Sequence, residues 1–351
     1  RYEGKELAVI LTTIMRPSDV SIVAETIRDR ATFPYNHHGA IINIGCNIGV
    51  SIYPDDSMDK DDLIKFAASA MEEAKERSES FIIFNHELHR SALRKAKLRS
   101  EMRQALVAKQ FETYYQPIVD TLGAVVGAEA LIRWKHPSLG FVPPDEFIPL
   151  AEEAGYTIMI GRWMLFRVCH FIKEQVELLG DRYISVNLSA KEFGGEGMVE
   201  YIHTVIVAEG ISPARLKLEI TETESMLDIE DAIDKIRQLR DIGIEVYVDD
   251  FGAGYSSLAY LKRLPAAVVK IDRVFMDTLV DNEEDRAFVE GMIRMISGKK
   301  MKVLVEGVAN AQQQAILRVL GADYLQGFHF SMAIPEQDFT LILERDMRLP
   351  V

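Results

Sequence analysis

From residue 112 onward the chain alternates short β-rich runs with longer helical runs, and this rhythm is the strongest constraint on its fold. Eight runs have the composition of strands, and a helical stretch follows all but the first. Eight strands joined mainly by helices in about 240 residues are typical of a (β/α)8 barrel. The predicted strands span residues 114–119, 125–134, 184–188, 216–220, 245–248, 268–271, 303–305 and 324–330.

The first connection departs from this pattern. Only "DTLGA" (residues 120–124) separates the first two strands, and so short a link predicts an antiparallel hairpin. We therefore expect an α/β fold, a modified (β/α)8 TIM-like barrel whose first strand runs against the others. This domain should occupy residues 112–351.

The sequence before the barrel divides into two parts. In residues 89–111 we expect a linker helix, because Leu98, Met102, Ala105 and Leu106 share one helical face with basic residues around it. Residues 1–88 should form a partial α+β segment. It has predicted strands at residues 7–11, 46–53 (as a hairpin partner) and 81–84, and predicted helices at residues 20–30 and 61–75.

Charge and cysteine content exclude several classes of function. The 351 residues include 40 Lys and Arg against 54 Asp and Glu, and the net charge of −14 argues against binding a nucleic-acid polymer or anionic lipid. Cys46 and Cys169 form no CxxC, which favours a reducing compartment over a zinc or disulfide site. We expect a cytoplasmic catalytic portion. The chain lacks an initiator Met, so a membrane or sensor segment could lie upstream.

Polar residues lie near the ends of seven of the eight predicted strands. Because strand C-termini converge on one face of such a barrel, we expect these side chains to meet at its mouth. Several carboxylates gathered there would repel one another unless cations lay between them. Oxygen ligands with one amide favour Mg²⁺ or Mn²⁺. The residues are Glu129, Asn187, Glu219, Asp249, Asp250, Lys270, Asp272, Glu306 and Gln326.

The stretch "VDDFGAGYSSL" (residues 248–258) places two carboxylates side by side at one strand end. The break into Gly252 and Gly254 should let Asp249 and Asp250 both turn toward the mouth. The first could then bridge two metals while the second holds one. A pair of metals about 4 Å apart suits in-line displacement at phosphorus, so the residues alone indicate phosphodiester hydrolysis.

Seven motifs make the second domain resemble the EAL family of cyclic di-GMP phosphodiesterases. They are "GAEALIRWKHPSLGFVPPDEFIPLAEEAG", "VNLSA", "LEITET", "VDDFGAGYSSL", "VKIDR", "VEGV" and "LQGF", in that order. The resemblance implies hydrolysis of cyclic di-GMP to linear pGpG with two Mg²⁺ or Mn²⁺ ions. It also implies a homodimer formed through this domain. Ca²⁺ is larger and looser in coordination than Mg²⁺, so we expect it to inhibit.

The resemblance assigns a role to each matching residue. It makes Glu129, Asn187, Glu219, Asp249 and Asp250 metal ligands, and it assigns catalysis to Lys270, Glu306 and Glu129. Arg133 and Gln326 would bind substrate, and Glu222 would stabilise the loop "DDFGAGYSS", which in the family links the metal site to dimerisation.

The first segment contains "CNIGVSIYPDD", "AASAMEEAKERSESFIIF" and, near its start, "EGKEL" (residues 3–7). The two longer stretches resemble the later segments of a GGDEF domain, the diguanylate cyclase fold, so residues 1–88 resemble its C-terminal part, with "EGKEL" in place of the signature. Lys5 replaces the metal-binding Asp of that signature, and a lysine cannot bind Mg²⁺. We therefore expect no cyclase activity.

Two alternatives to the phosphodiesterase stay open. One is a receptor of the same fold that binds cyclic di-GMP without cutting it, and the other is a different divalent-metal barrel enzyme. The receptor is suggested by Ala253, Ala309 and the pair Met332-Ala333, which stand where the family usually has Thr, Glu and Lys-Pro. None of these departures removes a predicted metal ligand.

Overall fold

The computed structural model describes residues 6–12, 14, 17–37, 40–42, 44–221, 229–252 and 263–350. The chain divides into two compact units, Arg1–Leu98 and Arg99–Val351. In the part of the chain that is described, no helix is long and apolar enough to cross a membrane.

The first unit contains two complete helices and four short strands among its described residues. The longer helix begins where the Asp59 side chain accepts the backbone amides of Asp61 and Asp62. Its small residues Ala70 and Ala74 share a buried cluster with strand residue Ile82. The elements are α1 (Pro17–Ala31), β1 (Tyr35–His37), β2 (Ala40–Ile42), β3 (Ile48–Val50), α2 (Lys60–Glu76) and β4 (Phe81–Ile83).

Both predicted helices and the last predicted strand of this unit are confirmed, but two predictions are wrong. Residues 7–11 form no strand: Leu7 and Ile10 are exposed, and no described strand pairs with them. The predicted strand at 46–53 shrinks to β3, which pairs in parallel with β4 and forms no hairpin with it. The two strands are parallel because α2 connects them as a crossover helix, whereas a hairpin needs a short turn.

The helix α3 (His86–Val107) begins in the first unit and ends in the second. It covers the predicted linker-helix range 89–111 except for the last four residues. Leu98, Met102 and Ala105 are fully buried and Leu106 is half-buried, so the apolar face that the sequence predicts exists.

Eight strands of the second unit close into a barrel. The first of them pairs antiparallel with both of its neighbours, whereas all other neighbouring pairs in the ring are parallel. The modified barrel with an inverted first strand is therefore confirmed. Two further short strands, β7 (Gly140–Val142) and β14 (Ile334–Pro335), pair antiparallel with β6 and β5. The strands of the ring are β5 (Phe111–Asp120), β6 (Val125–His136), β8 (Tyr183–Asn187), β9 (Leu216–Thr221), β10 (Glu245–Phe251), β11 (Val268–Ile271), β12 (Lys302–Val305) and β13 (Tyr324–Leu325).

The eighth strand is shorter than predicted, and the extension to residue 330 is wrong. It ends at Leu325 because the chain turns at Gly327, whose carbonyl accepts the backbone amides of Phe330 and Ser331, each at 3.1 Å. The described helices of this unit are α4 (Pro144–Ala154), α5 (Thr157–Glu174), α6 (Val176–Leu179), α7 (Ala190–Phe193), α8 (Met198–Glu209), α9 (Ile229–Asp241), α10 (Glu283–Gly298), α11 (Ala311–Leu320) and α12 (Glu336–Glu344), with 3-10 helices at Pro213–Arg215 and Arg273–Phe275.

Successive strand residues alternate between the helix layer and the barrel interior. On β11, for example, Val269 and Ile271 join the main core with helix residues, whereas Val268 joins a separate cluster inside the barrel. That interior cluster forms an apolar floor. The floor consists of Ile118, Tyr183, Tyr247, Val268 and Leu304. On the parallel strands, each floor residue lies two or four positions before a polar residue of the mouth, so the floor underlies the predicted site.

Candidate metal centre at the barrel mouth

The ammonium group of Lys270 lies at the centre of the mouth. Its Nζ is 2.5 Å from Glu219 Oε2, 2.8 Å from Glu306 Oε1, 3.0 Å from Asp249 Oδ1 and 3.5 Å from Glu129 Oε2. Burial alone would lower the pKa of this amine, but the four carboxylates together outweigh burial and raise the pKa well above its ordinary value. Lys270 therefore carries a fixed positive charge between strands on opposite sides of the ring.

Glu129 is held in one orientation by two side-chain amides. Its Oε1 accepts a hydrogen bond from Asn187 Nδ2 at 2.7 Å, and its Oε2 accepts one from Gln326 Nε2 at 2.8 Å. The Oε1 atom of Gln326 is buried and has no hydrogen-bond partner among the described residues. Residues from β6, β8 and the end of β13, predicted separately from the sequence, thus form one contact network.

Glu219 is fully buried on β9. Its burial, followed by the charge of Glu129, raises the pKa of this carboxyl well above its ordinary value, although Lys270 opposes the shift. Its Oε1 atom has no hydrogen-bond partner in the described part of the chain. An unpaired buried carboxylate oxygen is costly, and a cation at this position would satisfy it.

Asp249 and Asp250 both face the mouth, because a backbone irregularity breaks the strand alternation at Asp250. Its φ is +55°, in the left-handed region, and the register between β10 and β11 shifts between Val248 and Phe251. The Asp250 amide donates to Asp249 Oδ1 at 2.9 Å. Loss of hydration and the charge of Asp249 raise the pKa of Asp250 to about 6. The irregularity lies at the second aspartate itself, before the glycines to which the sequence pattern pointed.

Glu306 follows β12 and completes the cluster. Loss of hydration is the main cause that raises the pKa of this carboxyl to about 8, against the attraction of Lys270. The next residue, Gly307, has φ +71°, and a Cβ there would lie 2.3 Å from the Cβ of Arg273. A side chain at position 307 would therefore push the Glu306 loop away from the turn after β11.

The carboxylates form two overlapping groups with the spacing of metal ligands. Glu129, Glu219 and Asp249 form one group and Asp249, Asp250 and Glu306 the other, and within each group one ligand atom per residue lies within 4.8 Å of the others. Asp249 belongs to both groups, as the predicted bridging role requires. Hard oxygen donors, an excess of carboxylates over the single lysine, and the unpaired Glu219 oxygen all fit divalent cations such as Mg²⁺ or Mn²⁺.

Arg133 lies above this cluster on β6, four residues after Glu129. Its guanidinium stacks on the Tyr114 ring at 5.6 Å from the centroid and donates to the Ile132 carbonyl at 2.9 Å. Partial burial lowers the pKa of the guanidinium, but an arginine remains charged. The sequence pattern missed Tyr114, although its alternation with the buried Tyr115 on β5 could have assigned it to the interior.

One predicted residue borders the cluster, and others cannot be placed. Asp272 accepts the Val274 amide at 2.7 Å and caps the 3-10 helix after β11, and its charge and a side-chain hydrogen bond help to raise the pKa of Asp250. Glu222, Ala253 and Lys5 lie outside the described residues, so the loop-stabilising role of Glu222 stays a prediction.

The closed barrel and the carboxylate cluster at its mouth define a TIM-like barrel equipped for divalent metals. Residues 99–333 match the family model described as "EAL domain", and residues 1–80 match "Diguanylate cyclase, GGDEF domain". The chain belongs to the EAL domain family and carries a GGDEF segment before it.

Similarity to named relatives supports this family membership. The chain is 34% identical over 340 residues to the Pseudomonas aeruginosa "Bifunctional diguanylate cyclase/cyclic di-GMP phosphodiesterase MucR", covering 96% of this chain and 50% of the relative. It is 28% identical over 337 residues to the Escherichia coli "Cyclic di-GMP phosphodiesterase PdeR", covering 96% and 51%. The chain thus spans about half the length of these relatives.

Solved structures support the same fold. The "PaMucR Phosphodiesterase, c-di-GMP complex" superposes with a TM-score of 0.67 at 38% identity, over 69% of this chain and 99% of that one. The "EAL Enzyme Bd1971" in its cAMP and cyclic-di-GMP bound form superposes with a TM-score of 0.68 at 31% identity, over 72% of this chain and 70% of that one.

Proposed function

We propose that the barrel domain, residues 112–351, hydrolyses cyclic di-GMP to linear pGpG with two Mg²⁺ or Mn²⁺ ions. The observation that carries the proposal is the pair of overlapping carboxylate groups that share Asp249 around the buried Lys270. The relatives named as cyclic di-GMP phosphodiesterases supply the substrate.

The reaction adds water across one phosphodiester bond. The water oxygen attacks phosphorus, the bond to the ribose O3′ breaks, and the linear product keeps the phosphate on its 5′ end. Two divalent ions, when bound, supply Lewis acidity that activates the water and neutralises charge on the phosphate.

The protein residues divide the remaining work among them. Glu129, Asn187, Glu219 and Asp249 would hold one ion, and Asp249 with Asp250 the other. Glu306 and Gln326 lie beside these ligands, where Glu306 can accept a proton. Lys270 would stabilise negative charge that develops around the attacking water. Arg133 would bind a phosphate through its guanidinium, which Tyr114 holds from one side.

The choice of metal follows from the required geometry. Mg²⁺ and Mn²⁺ adopt compact octahedral coordination, whereas Ca²⁺ binds the same oxygens at longer distances and with looser geometry. We therefore propose that Ca²⁺ occupies the site and inhibits turnover.

Further proposals concern the rest of the chain. Residues 1–88 would be a regulatory segment without cyclase activity, joined by the linker 89–111 to a barrel domain that pairs with a second copy of itself. The low cysteine content favours a cytoplasmic location for this portion.

A single assay tests the central proposal. Purified protein is incubated with cyclic di-GMP and Mg²⁺, Mn²⁺, Ca²⁺ or excess chelator, and pGpG is quantified by chromatography. We expect pGpG to form only in the reactions that contain Mg²⁺ or Mn²⁺. Turnover in excess chelator would refute the metal-dependent mechanism, and tight binding without any pGpG would make the chain a receptor.

A further inference from the structure

Gln313 is a buried amide to which neither the motifs nor the proposed mechanism gives a role. It lies in the first turn of α11, where Asn310 Oδ1 accepts its backbone amide at 2.9 Å. Only 5% of the residue is exposed, whereas the preceding Gln312 is exposed to solvent. A buried neutral amide is expected to have hydrogen-bond partners, and those partners indicate its role.

The Gln313 side chain joins two loops of the mouth. Its Oε1 accepts the backbone amide of Ala309 at 2.6 Å, and its Nε2 donates to the carbonyl of Met276 at 2.7 Å. Ala309 lies three residues after Glu306. Met276 directly follows the 3-10 helix Arg273–Phe275, which begins three residues after Lys270.

The loop that carries Glu306 also makes contacts that do not involve Gln313. The Glu306 amide donates to the Ile271 carbonyl at 3.0 Å, and the Val308 amide donates to the Gln326 carbonyl at 3.0 Å. The close approach of Gly307 to Arg273 adds a third contact. Backbone groups thus hold the segment that carries Glu306 against the ends of β11 and β13. The Gln313 side chain, on α11, adds hydrogen bonds to this segment and to the loop after β11.

We propose that Gln313 is a positioning residue that sets Glu306 against Asp249 and Asp250, and so tunes the second of the two metal positions. The inference rests on the proposed two-metal function. A glutamine suits this position because its side chain must accept a hydrogen bond from Ala309 and donate one to Met276. A neutral amide can do both. Without it the Ala309 N–H loses its partner and the carbonyl of the buried Met276 keeps only the Leu279 amide at 3.4 Å, so both loops shift until water or other groups satisfy them.

The test compares Gln313→Met, which keeps the length and loses both hydrogen bonds, with Gln312→Met on the exposed side of the same turn. Mn²⁺ binding is measured by calorimetry on the full chain, and kcat and KM are measured for cyclic di-GMP. For Gln313→Met we expect the weaker Mn²⁺ affinity to fall at least tenfold, with the tighter affinity and KM within about threefold of wild type. The reduced kcat should recover as Mn²⁺ is raised. Gln312→Met should behave as wild type.

A second variant guards against a folding defect. Gln313→Asn keeps the amide but is one methylene shorter, so it cannot reach both loops, and it should show the same selective loss of the second Mn²⁺. Unchanged Mn²⁺ affinities in either folded variant, or equal weakening of both metals, would overturn the proposal, and so would failure of both variants to fold. If wild type binds two Mn²⁺ ions but forms no pGpG, the proposed hydrolysis fails while the metal isotherms still decide the role of Gln313.

Discussion

Lys270 Nζ and Glu219 Oε2 lie 2.5 Å apart, and both side chains are completely buried inside the barrel. Removing one partner of a buried ion pair leaves an uncompensated charge, which typically costs about 3–5 kcal/mol. In this barrel, removal of Lys270 would also take the cation away from three further carboxylates, because Lys270 faces Glu129, Asp249 and Glu306 as well. The lysine therefore organises the carboxylates as well as contributing its charge.

Lys270→Ala should reduce turnover far more than substrate affinity. A cation near the attacking water stabilises mainly the negative charge that develops in the transition state. We therefore expect kcat to fall on the order of 100-fold or more. The dissociation constant of cyclic di-GMP, measured by calorimetry in Ca²⁺, should stay within about threefold. A variant with wild-type kcat would remove Lys270 from the mechanism.

Asp249→Asn should disturb both metal positions at once, because Asp249 belongs to both carboxylate groups. We expect the Mn²⁺ stoichiometry to fall from two to one or fewer and pGpG formation to disappear. Circular dichroism should show a folded barrel. Asp277→Asn, an exposed aspartate outside the cluster, is the control and should bind two ions. Retention of two tight sites in Asp249→Asn would contradict the bridging role.

Arg133→Ala should weaken substrate binding. A charged hydrogen bond to phosphate is worth about 1–3 kcal/mol, so KM should rise roughly 5- to 150-fold with a smaller change in kcat. The matched control is Arg162→Ala, since Arg162 also stacks on a tyrosine, Tyr201, at 4.5 Å but lies on helix α5. Initial rates over a range of cyclic di-GMP concentrations separate the two constants. An unchanged KM would remove Arg133 from the phosphate site.

Metal affinity should increase with pH. Without metal, the pKa values of Asp250 and Glu306 are raised to about 6 and about 8, so both carboxyls hold protons in part of the neutral range. Metal ligands must be deprotonated, and binding therefore releases protons. Mn²⁺ affinity should increase between about pH 5 and 9 and level off above. Calorimetry in buffers of different ionisation enthalpy measures the released protons, and a flat profile would show that the carboxyls are already ionised.

The first segment should form no cyclic di-GMP from GTP. The expectation comes from Lys5, which stands where the GGDEF signature has a metal-binding aspartate. The assay uses Glu129→Ala, because an active barrel would degrade any product. Cyclic di-GMP in that variant would show that the segment retains cyclase activity despite Lys5.

The parts of the site that strand periodicity specifies were predictable. Lys270, Glu219 and Glu129 lie on interior positions of regular strands, so their approach follows from strand order and alternation alone. The positive φ of Asp250 was not predictable, because aspartate adopts it here only under the constraints of the surrounding loops. The same holds for Gln313, whose partners are backbone groups that carry no signature in the sequence.

The errors share a physical cause. Residues 7–11 have a strand-like composition but no neighbour to pair with among the described residues, and a strand requires a partner. The final barrel strand was predicted too long because its last residues are apolar, yet they belong to the turn at Gly327. Local composition indicates the type of element, and tertiary contacts decide where it ends.

The inverted first strand has a consequence for how signals could reach the metals. In a barrel with all strands parallel, the chain enters from the face opposite the active site. Here β5 begins at Phe111, opposite Trp134 at the far end of β6, and the Gln110 carbonyl accepts the Lys135 amide at 2.8 Å. The chain thus enters at the catalytic rim, next to the strand end that carries Arg133. A movement of the upstream chain would therefore reach Arg133, the residue that we propose to bind a substrate phosphate, without first being transmitted through the barrel.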